Sequence, residues 1–265
     1  MTRRSNKLGS VLGLALPPVI AAMIALAVWW LIKTVSGYPD YVLPSPVTVW
    51  NEFVENFGEV GKSAWLTFLS AILGLLTSVL VGGSVSVLFC QSKWIRRSLF
   101  PLAIFLQTVP IVAVAPIIVL WLDEGLVATT FIAFIVSVFP IVTNTTSGLL
   151  GVSNEHFELF RLYRASRWQQ LLRLQIPTAL PNFVTGIKIA GGMAVLGSVV
   201  GEFFCATLEN KGLGRQIFEL KDHNVALMYA CIFIATALGV FMFATISLLS
   251  DRFLLYWDEK KISKL

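Results

Sequence analysis

Long uncharged windows alternate with short charged segments along this chain. Leu8 to Ile32, Ser63 to Ser92, Ser98 to Leu122, Gly125 to Asn154 and Asn224 to Ser250 contain no Asp, Glu, Lys or Arg. Asn182 to Leu208 is interrupted only by Lys188 and Glu202. Each window exceeds the ~20 residues that a helix needs to cross the hydrocarbon of a bilayer. The apolar runs are unbroken, as in Ala21–Ile32 and Ile111–Leu122, whereas barrel strands are shorter and alternate in polarity. The pattern predicts an all-α polytopic membrane protein with six transmembrane helices. They are expected at about 11–32, 64–90, 99–122, 126–150, 183–207 and 225–250, in one transmembrane domain spanning residues 1–265. The first window could also be read as a signal peptide, since Ala25-Leu26-Ala27 mimics a cleavage site, but the run continues through Ile32 and favours an uncleaved anchor.

Composition sharpens this picture. Of 265 residues, 56% are hydrophobic and 13% charged, and mean hydropathy is +0.79. Soluble domains carry about 25% charged residues, so a normal cytosolic enzyme is excluded. The net charge of +5 fits basic cytoplasmic loops rather than nucleic-acid binding. With the N-terminus inside, the inner segments hold Arg3, Arg4, Lys7, Lys93, Arg96, Arg97, Arg161, Arg164, Arg167, Arg173, Arg252, Lys260, Lys261 and Lys264. The outer ones hold Lys33, Lys62, Lys211, Arg215 and Lys221. This bias places both termini in the cytoplasm. Cys90, Cys205 and Cys231 lie in or beside apolar runs without CxxC spacing, as small buried hydrophobes do.

Two loops carry local signals. Ser45-Pro46 suits an N-cap and first helical position, and predicts a short helix over 46–54 on the outer membrane face. The inner segment 151–182 is the longest. Asn154 is expected to cap a helix, and a second helix should run from Ser166 to Leu174 and stop before Pro177. Aromatic groups mix with arginines here. Such a pair suits either a helix lying on lipid or a docking surface for a soluble partner.

The spacing in this loop resembles a known signature. Glu158-Leu159-Phe160, three residues, Arg164, nine residues, then Leu174-Gln175-Ile176-Pro177 is similar to the cytoplasmic loop of binding-protein-dependent ABC importer permeases. That family's pattern is Glu-Ala-Ala, three residues, Gly, nine residues, Ile, one residue, Leu-Pro. Glu158 and Pro177 match outright, and Leu174 and Ile176 match in type. Leu159 and Phe160 replace the alanines, and Arg164 replaces the glycine. An arginine fits that turn only with a different backbone or with strain. Further stretches resemble the nitrate/sulfonate/taurine branch, which includes permeases for thiamine precursors and riboflavin. They are Leu43–Pro46, Gln107–Trp121, Ala165-Ser166-Arg167-Trp168, Leu180-Pro181, Gly201-Glu202 and Gly212-Leu213-Gly214.

The resemblance implies a type I ABC importer permease in a cell inner membrane, paired with an identical or related permease subunit. Two ATP-binding cassette subunits would lie beneath, and an extracytoplasmic binding protein would deliver a small solute. The coupling loop would use Glu158, Leu159, Phe160, Tyr163, Arg164, Ala165, Ser166, Leu174, Ile176 and Pro177. No cofactor would belong to this chain; ATP and Mg would be bound by the partner. In keeping with that, the sequence has no GxxxxGK[ST] phosphate loop.

Within the spans, Glu202, Pro110 and Pro116 are candidate pathway or gate residues, because intramembrane charge and helix breaks often line cavities. Lys188, near an inner end, can snorkel to lipid phosphates. Gly197 and Gly201 have the spacing that lets helices approach closely. A stand-alone secondary transporter would show more intramembrane charge and paired repeats; a membrane enzyme would show clustered His, Asp, Glu or Ser. A permease subunit with an impaired coupling loop is the remaining alternative.

Overall fold

A computed structural model describes the backbone of residues 6–205 and 211–262. Side chains within 6–15 and 253–262, and those of Pro18, Ala103 and Leu106, lie outside the described residues; these include the side chains of Lys7, Lys260 and Lys261, and Arg3, Arg4 and Lys264 lie outside altogether. Every regular element among the described residues is helical. In chain order they are α1 (Asn6–Ser36), α2 (Pro46–Glu55), α3 (Phe57–Gln91), α4 (Lys93–Thr108), α5 (Ile111–Leu122) and α6 (Leu126–Leu150). Then come α7 (Asn154–Leu162), α8 (Arg167–Gln170), a π turn (Leu171–Gln175), α9 (Ile176–Phe204), α10 (Leu213–Leu220) and α11 (Val225–Ile262). Among the described residues, five helical segments are long and apolar enough to cross a membrane: Val19–Ser36, Phe57–Gln91, Leu126–Leu150, Arg167–Phe204 and Val225–Arg252. The sixth apolar segment is the shorter α5.

The chain divides into two units, Met1–Gly58 with Glu219–Ala230, and Glu59–Phe218 with Cys231–Leu265. In the first, Ser45 caps α2: its Oγ accepts from the Thr48 N–H at 3.1 Å, and Pro46 opens the helix, as the sequence predicts. Trp29 stacks on Tyr229 at 6.1 Å between ring centroids. Asn224 caps α11 by accepting from the Leu227 N–H and donates its Nδ2 to Glu52 Oε2 at 2.8 Å.

The second unit is built on α6 against α9. A Cβ on Gly197 would lie 2.8 Å from Ala133 Cα, and one on Gly201 would lie 3.2 Å from Thr129 Cα. The two backbones therefore cross too closely for a side chain at Gly197 and leave a tight fit at Gly201, which is the use expected of this spacing. α3 is tied to α6 by hydroxyls: Ser78 and Ser137 share a 2.7 Å hydrogen bond, and Ser86 donates to the Val142 carbonyl at 3.2 Å. In lipid such bonds replace the hydrophobic drive that joins helices in water. Ala71, Leu75, Ile141, Ala190, Val195 and Met242 fill the space among α3, α6, α9 and α11.

One span expectation fails here. The window 99–122 is not one continuous helix. α4 ends at Thr108, Val109 takes an extended conformation (φ −69°, ψ 123°), and Pro110 caps α5. Proline disfavours a helical residue before it, and here that preference wins. Pro116 stays inside α5. Lys188 pairs across helices: its Nζ lies 2.7 Å from Asp251 Oδ1 of α11. Of the three cysteines read as buried, Cys205 and Cys231 are buried, and Cys90 is half-buried.

Candidate functional site

The connection between α6 and α9 has a buried foot and an exposed tip. At the foot, Leu149, Leu171 and Ala179 cluster with Val87 and Cys90, and Val152 and Leu174 are also buried. α7 is capped one residue earlier than expected. Ser153, not Asn154, is the N-cap, and its Oγ shares a 2.7 Å hydrogen bond with His156 Nδ1 instead of capping the helix. Glu155 sits in the first turn, where the helix dipole favours an anion. A hydrogen bond with Ser153 holds its carboxyl below the ordinary range.

α7 ends in a turn of defined geometry. The Ala165 N–H donates to the Phe160 carbonyl and the Arg164 N–H to the Arg161 carbonyl, both at 2.9 Å. These are the two bonds of a Schellman motif, whose penultimate residue is left-handed and usually glycine. Arg164 occupies that position with φ 51°. Of the two outcomes expected for an arginine here, the strained one is observed: a left-handed residue within the turn. Gln170 Nε2 braces the turn by donating to the Ala165 carbonyl. Ser166 then caps α8, and Gln169 reciprocates in a capping box.

The second helix does not stop before Pro177. α8, the π turn and α9 form one helical rod, Arg167–Phe204. In an α-helix the Pro177 ring would press on the carbonyl four residues back and leave it without a donor. The wide turn one step earlier, closed by the Ile176 N–H on the Leu171 carbonyl, absorbs that defect.

The remaining signature residues separate by exposure. Leu174 is buried, Phe160 and Ala165 are half-buried, and Glu158, Leu159 and Tyr163 are exposed. Leu162 and Trp168, which the motif does not include, are also exposed, at 82% and 68%; Tyr163 is 81% exposed. Leu159, Leu162 and Tyr163 have i, i+3, i+4 spacing, so they share one face of α7. That periodicity is present in the sequence, independent of the signature.

Glu202 belongs to a different arrangement. It is buried near the end of α9, where its Oε2 accepts from Thr67 Oγ1 of α3 and from the Gly214 N–H of α10, both at 2.9 Å. The Leu213 N–H donates back to Thr67 Oγ1 at 2.9 Å. Further along α10, Gln216 Nε2 donates to Glu59 Oε1 at 3.1 Å, and Cys231 Sγ to Gln216 Oε1 at 3.4 Å. A carboxylate at a helix N-terminus satisfies orphan N–H groups and complements the dipole. The flanking glycines make room: a Cβ on Gly212 would overlap the Glu202 carboxylate, and one on Gly214 would overlap the Val199 carbonyl. Glu202 therefore fastens α10 to α3 and α9 beside a cavity of about 70 Å³. Pro116 lines a separate crevice with Val119, Leu120, Asp123, Glu124 and Phe204. Pro110 lines neither of these two cavities.

Comparison with known proteins identifies the family of the chain. A family model described as the inner membrane component of binding-protein-dependent transport systems matches residues 74–262. The formylaminopyrimidine transport permease protein ThiX of Halalkalibacterium halodurans is 33% identical over 256 residues, covering 93% of this chain and 98% of that protein. The putative aliphatic sulfonates transport permease protein SsuC of Bacillus subtilis is 31% identical, covering 96% and 88%. A chain of the MetNI methionine ABC transporter, solved in inward-facing conformations, superposes with TM-score 0.60 at 18% identity, over 75% of this chain and 95% of that one, which supports the fold. The chain is a polytopic all-α membrane protein and belongs to the binding-protein-dependent ABC importer permease family, in the branch that includes sulfonate and nitrate permeases.

Proposed function

We propose that the segment between α6 and α9 is the cytoplasmic element by which this permease subunit engages an ATP-binding cassette partner. The observation that carries this reading is the division of labour in the loop. Its foot is buried, while Leu159, Leu162 and Tyr163 project from one helix face. Exposed apolar groups of this size on a rigid mount suit an interface whose core is aromatic and aliphatic. ATP and Mg belong to that partner, as does hydrolysis. A second permease subunit completes the pathway, and an extracytoplasmic binding protein delivers a small solute. The basic-residue bias supports cytoplasmic termini in an inner membrane.

The rod Arg167–Phe204 gives the coupling its path. At about 1.5 Å per residue it is roughly 57 Å long and runs without a break from the docking tip to Glu202. A displacement imposed at α7 and α8 is thus carried by one rigid element toward the opposite end, where Glu202 and Thr67 hold α10. Rocking of packed helices between two arrangements is an established route to alternating access. Arg164 preserves the left-handed turn, which supports a normally shaped loop over an impaired one.

Reconstitution separates this reading from a stand-alone transporter. Proteoliposomes containing the chain, its ATP-binding subunit and its binding protein are expected to accumulate one of the solutes named for the relatives, formylaminopyrimidine or an aliphatic sulfonate, only with ATP. Vesicles containing the chain alone should accumulate none. Uptake by the chain alone on an ion gradient would overturn the proposal.

A further inference from the structure

Building on the docking of this loop against an ATP-binding subunit, we propose that Arg164 is a specificity contact in that interface, directed at a carboxylate on the rim of the partner's groove. Three observations converge on it. First, Arg164 holds the left-handed position of a Schellman turn. Glycine takes this conformation freely, and an arginine is strained in it. A strained backbone at a residue other than glycine points to a function requiring the side chain at that place.

Second, the Arg164 side chain has no ion pair and no hydrogen bond among the described residues, and the residue is exposed at the apex beside Tyr163. Third, the chain that follows supplies no counter-charge. From Leu159 to Gly201 there is no Asp or Glu, while Arg161, Arg164, Arg167 and Arg173 all fall in that stretch. The tip therefore presents an apolar face ending in an unpaired guanidinium. A guanidinium fork pairs bidentately with a carboxylate and is sensitive to direction. Lipid phosphates, by contrast, are reached by flexible arginines anywhere on a helix and need no fixed left-handed mount. The geometry thus favours a protein partner over the bilayer surface.

The test measures binding of the detergent-purified permease to its ATP-binding subunit. Wild type is compared with Arg164→Gly, Arg164→Lys and Arg164→Glu. A charge at the rim of an interface acts chiefly on association rate and salt dependence. Arg164→Gly is expected to keep or raise the thermal midpoint of the permease yet to weaken binding about tenfold, mostly through slower association. Lysine should restore part of the loss, and glutamate should weaken binding beyond glycine. Raising the salt from about 0.05 M to about 0.5 M should shrink the gap between wild type and glycine. Equal affinity of the wild type and the glycine variant would overturn the inference and leave the docking proposal intact. Failure of the wild type to bind any ATP-binding subunit would overturn both. Flotation with anionic vesicles that depends on Arg164, without an effect on subunit binding, would assign the arginine to lipid and overturn the inference as well.

Discussion

Replacing Gly214 with alanine is expected to unseat α10 and to destabilise the permease more than the same change at any glycine of α6 or α9. The new Cβ would overlap the Val199 carbonyl and approach Glu202 Cβ at 2.9 Å. Neither neighbour can yield, since one is a backbone atom of α9 and the other is fixed directly to that backbone. Overpacking costs about 1–3 kcal/mol. Pulling the Gly214 N–H away from Glu202 Oε2 adds the loss of a hydrogen bond to a charged acceptor, about 1.5–3 kcal/mol. The carboxylate, buried and half-deprived of donors, then has to find water or a proton. The change should appear as a lower thermal midpoint and poor recovery of monodisperse protein in detergent. Gly61→Ala is the matched control: no atom lies within 4 Å of its new Cβ, so better helix propensity should leave stability equal or slightly higher. Glu202→Gln keeps an oxygen to accept from Thr67 and Gly214, and should cost far less than Glu202→Ala. If the glutamine variant is stable yet fails to transport, the charge itself acts in the pathway. If it is stable and transports, Glu202 is an anchor.

Changing Glu158, Phe160 and Tyr163 together to alanine is expected to abolish co-purification of the ATP-binding subunit while leaving the permease folded. Glu158 and Tyr163 are exposed, and Phe160 is half-buried, so little of the core is disturbed. Aromatic anchors at interface centres often contribute about 2 kcal/mol or more, and each ~1.4 kcal/mol is tenfold in affinity. A loss of about a hundredfold or greater follows from two such anchors. Leu174→Ala provides the contrast. It opens a cavity in the buried foot at a cost of about 2–5 kcal/mol, and should reduce both stability and partner binding. A triple variant that still carries its ATP-binding subunit would remove α7 from the interface.

The sequence was most legible where the physics is local. Hydropathy placed the spans at 64–90, 126–150 and 225–250 inside α3, α6 and α11, and Ser45-Pro46 marked α2. The loop signature was readable from spacing, down to an arginine in a glycine's place. Prolines show where local reading ends. Pro110 breaks a helix, Pro116 lies within one, and Pro177 is accommodated by a π turn. All three lack the same N–H, and the outcome depends on whether the preceding turn can rearrange against its neighbours. Charges show the same limit. Lys188 and Glu202 were visible as rare intramembrane ions, but Asp251 and Thr67 are 63 and 135 residues away. No periodicity connects such partners; only the packing of α9 against α11 and α3 does.

Cross-linking asks whether the exposed face of α7 touches an ATP-binding subunit. A cysteine is placed at Leu162, the most exposed apolar residue on that face, and a control cysteine at Leu80, which is 71% exposed on a transmembrane segment. Native membranes containing the assembled transporter are treated with a short thiol–amine cross-linker. The expected result is an adduct between permease and ATP-binding subunit from position 162 and none from position 80. A cysteine at 162 that reacts with a small maleimide yet forms no adduct with the ATP-binding subunit would place the exposed face of α7 outside the interface.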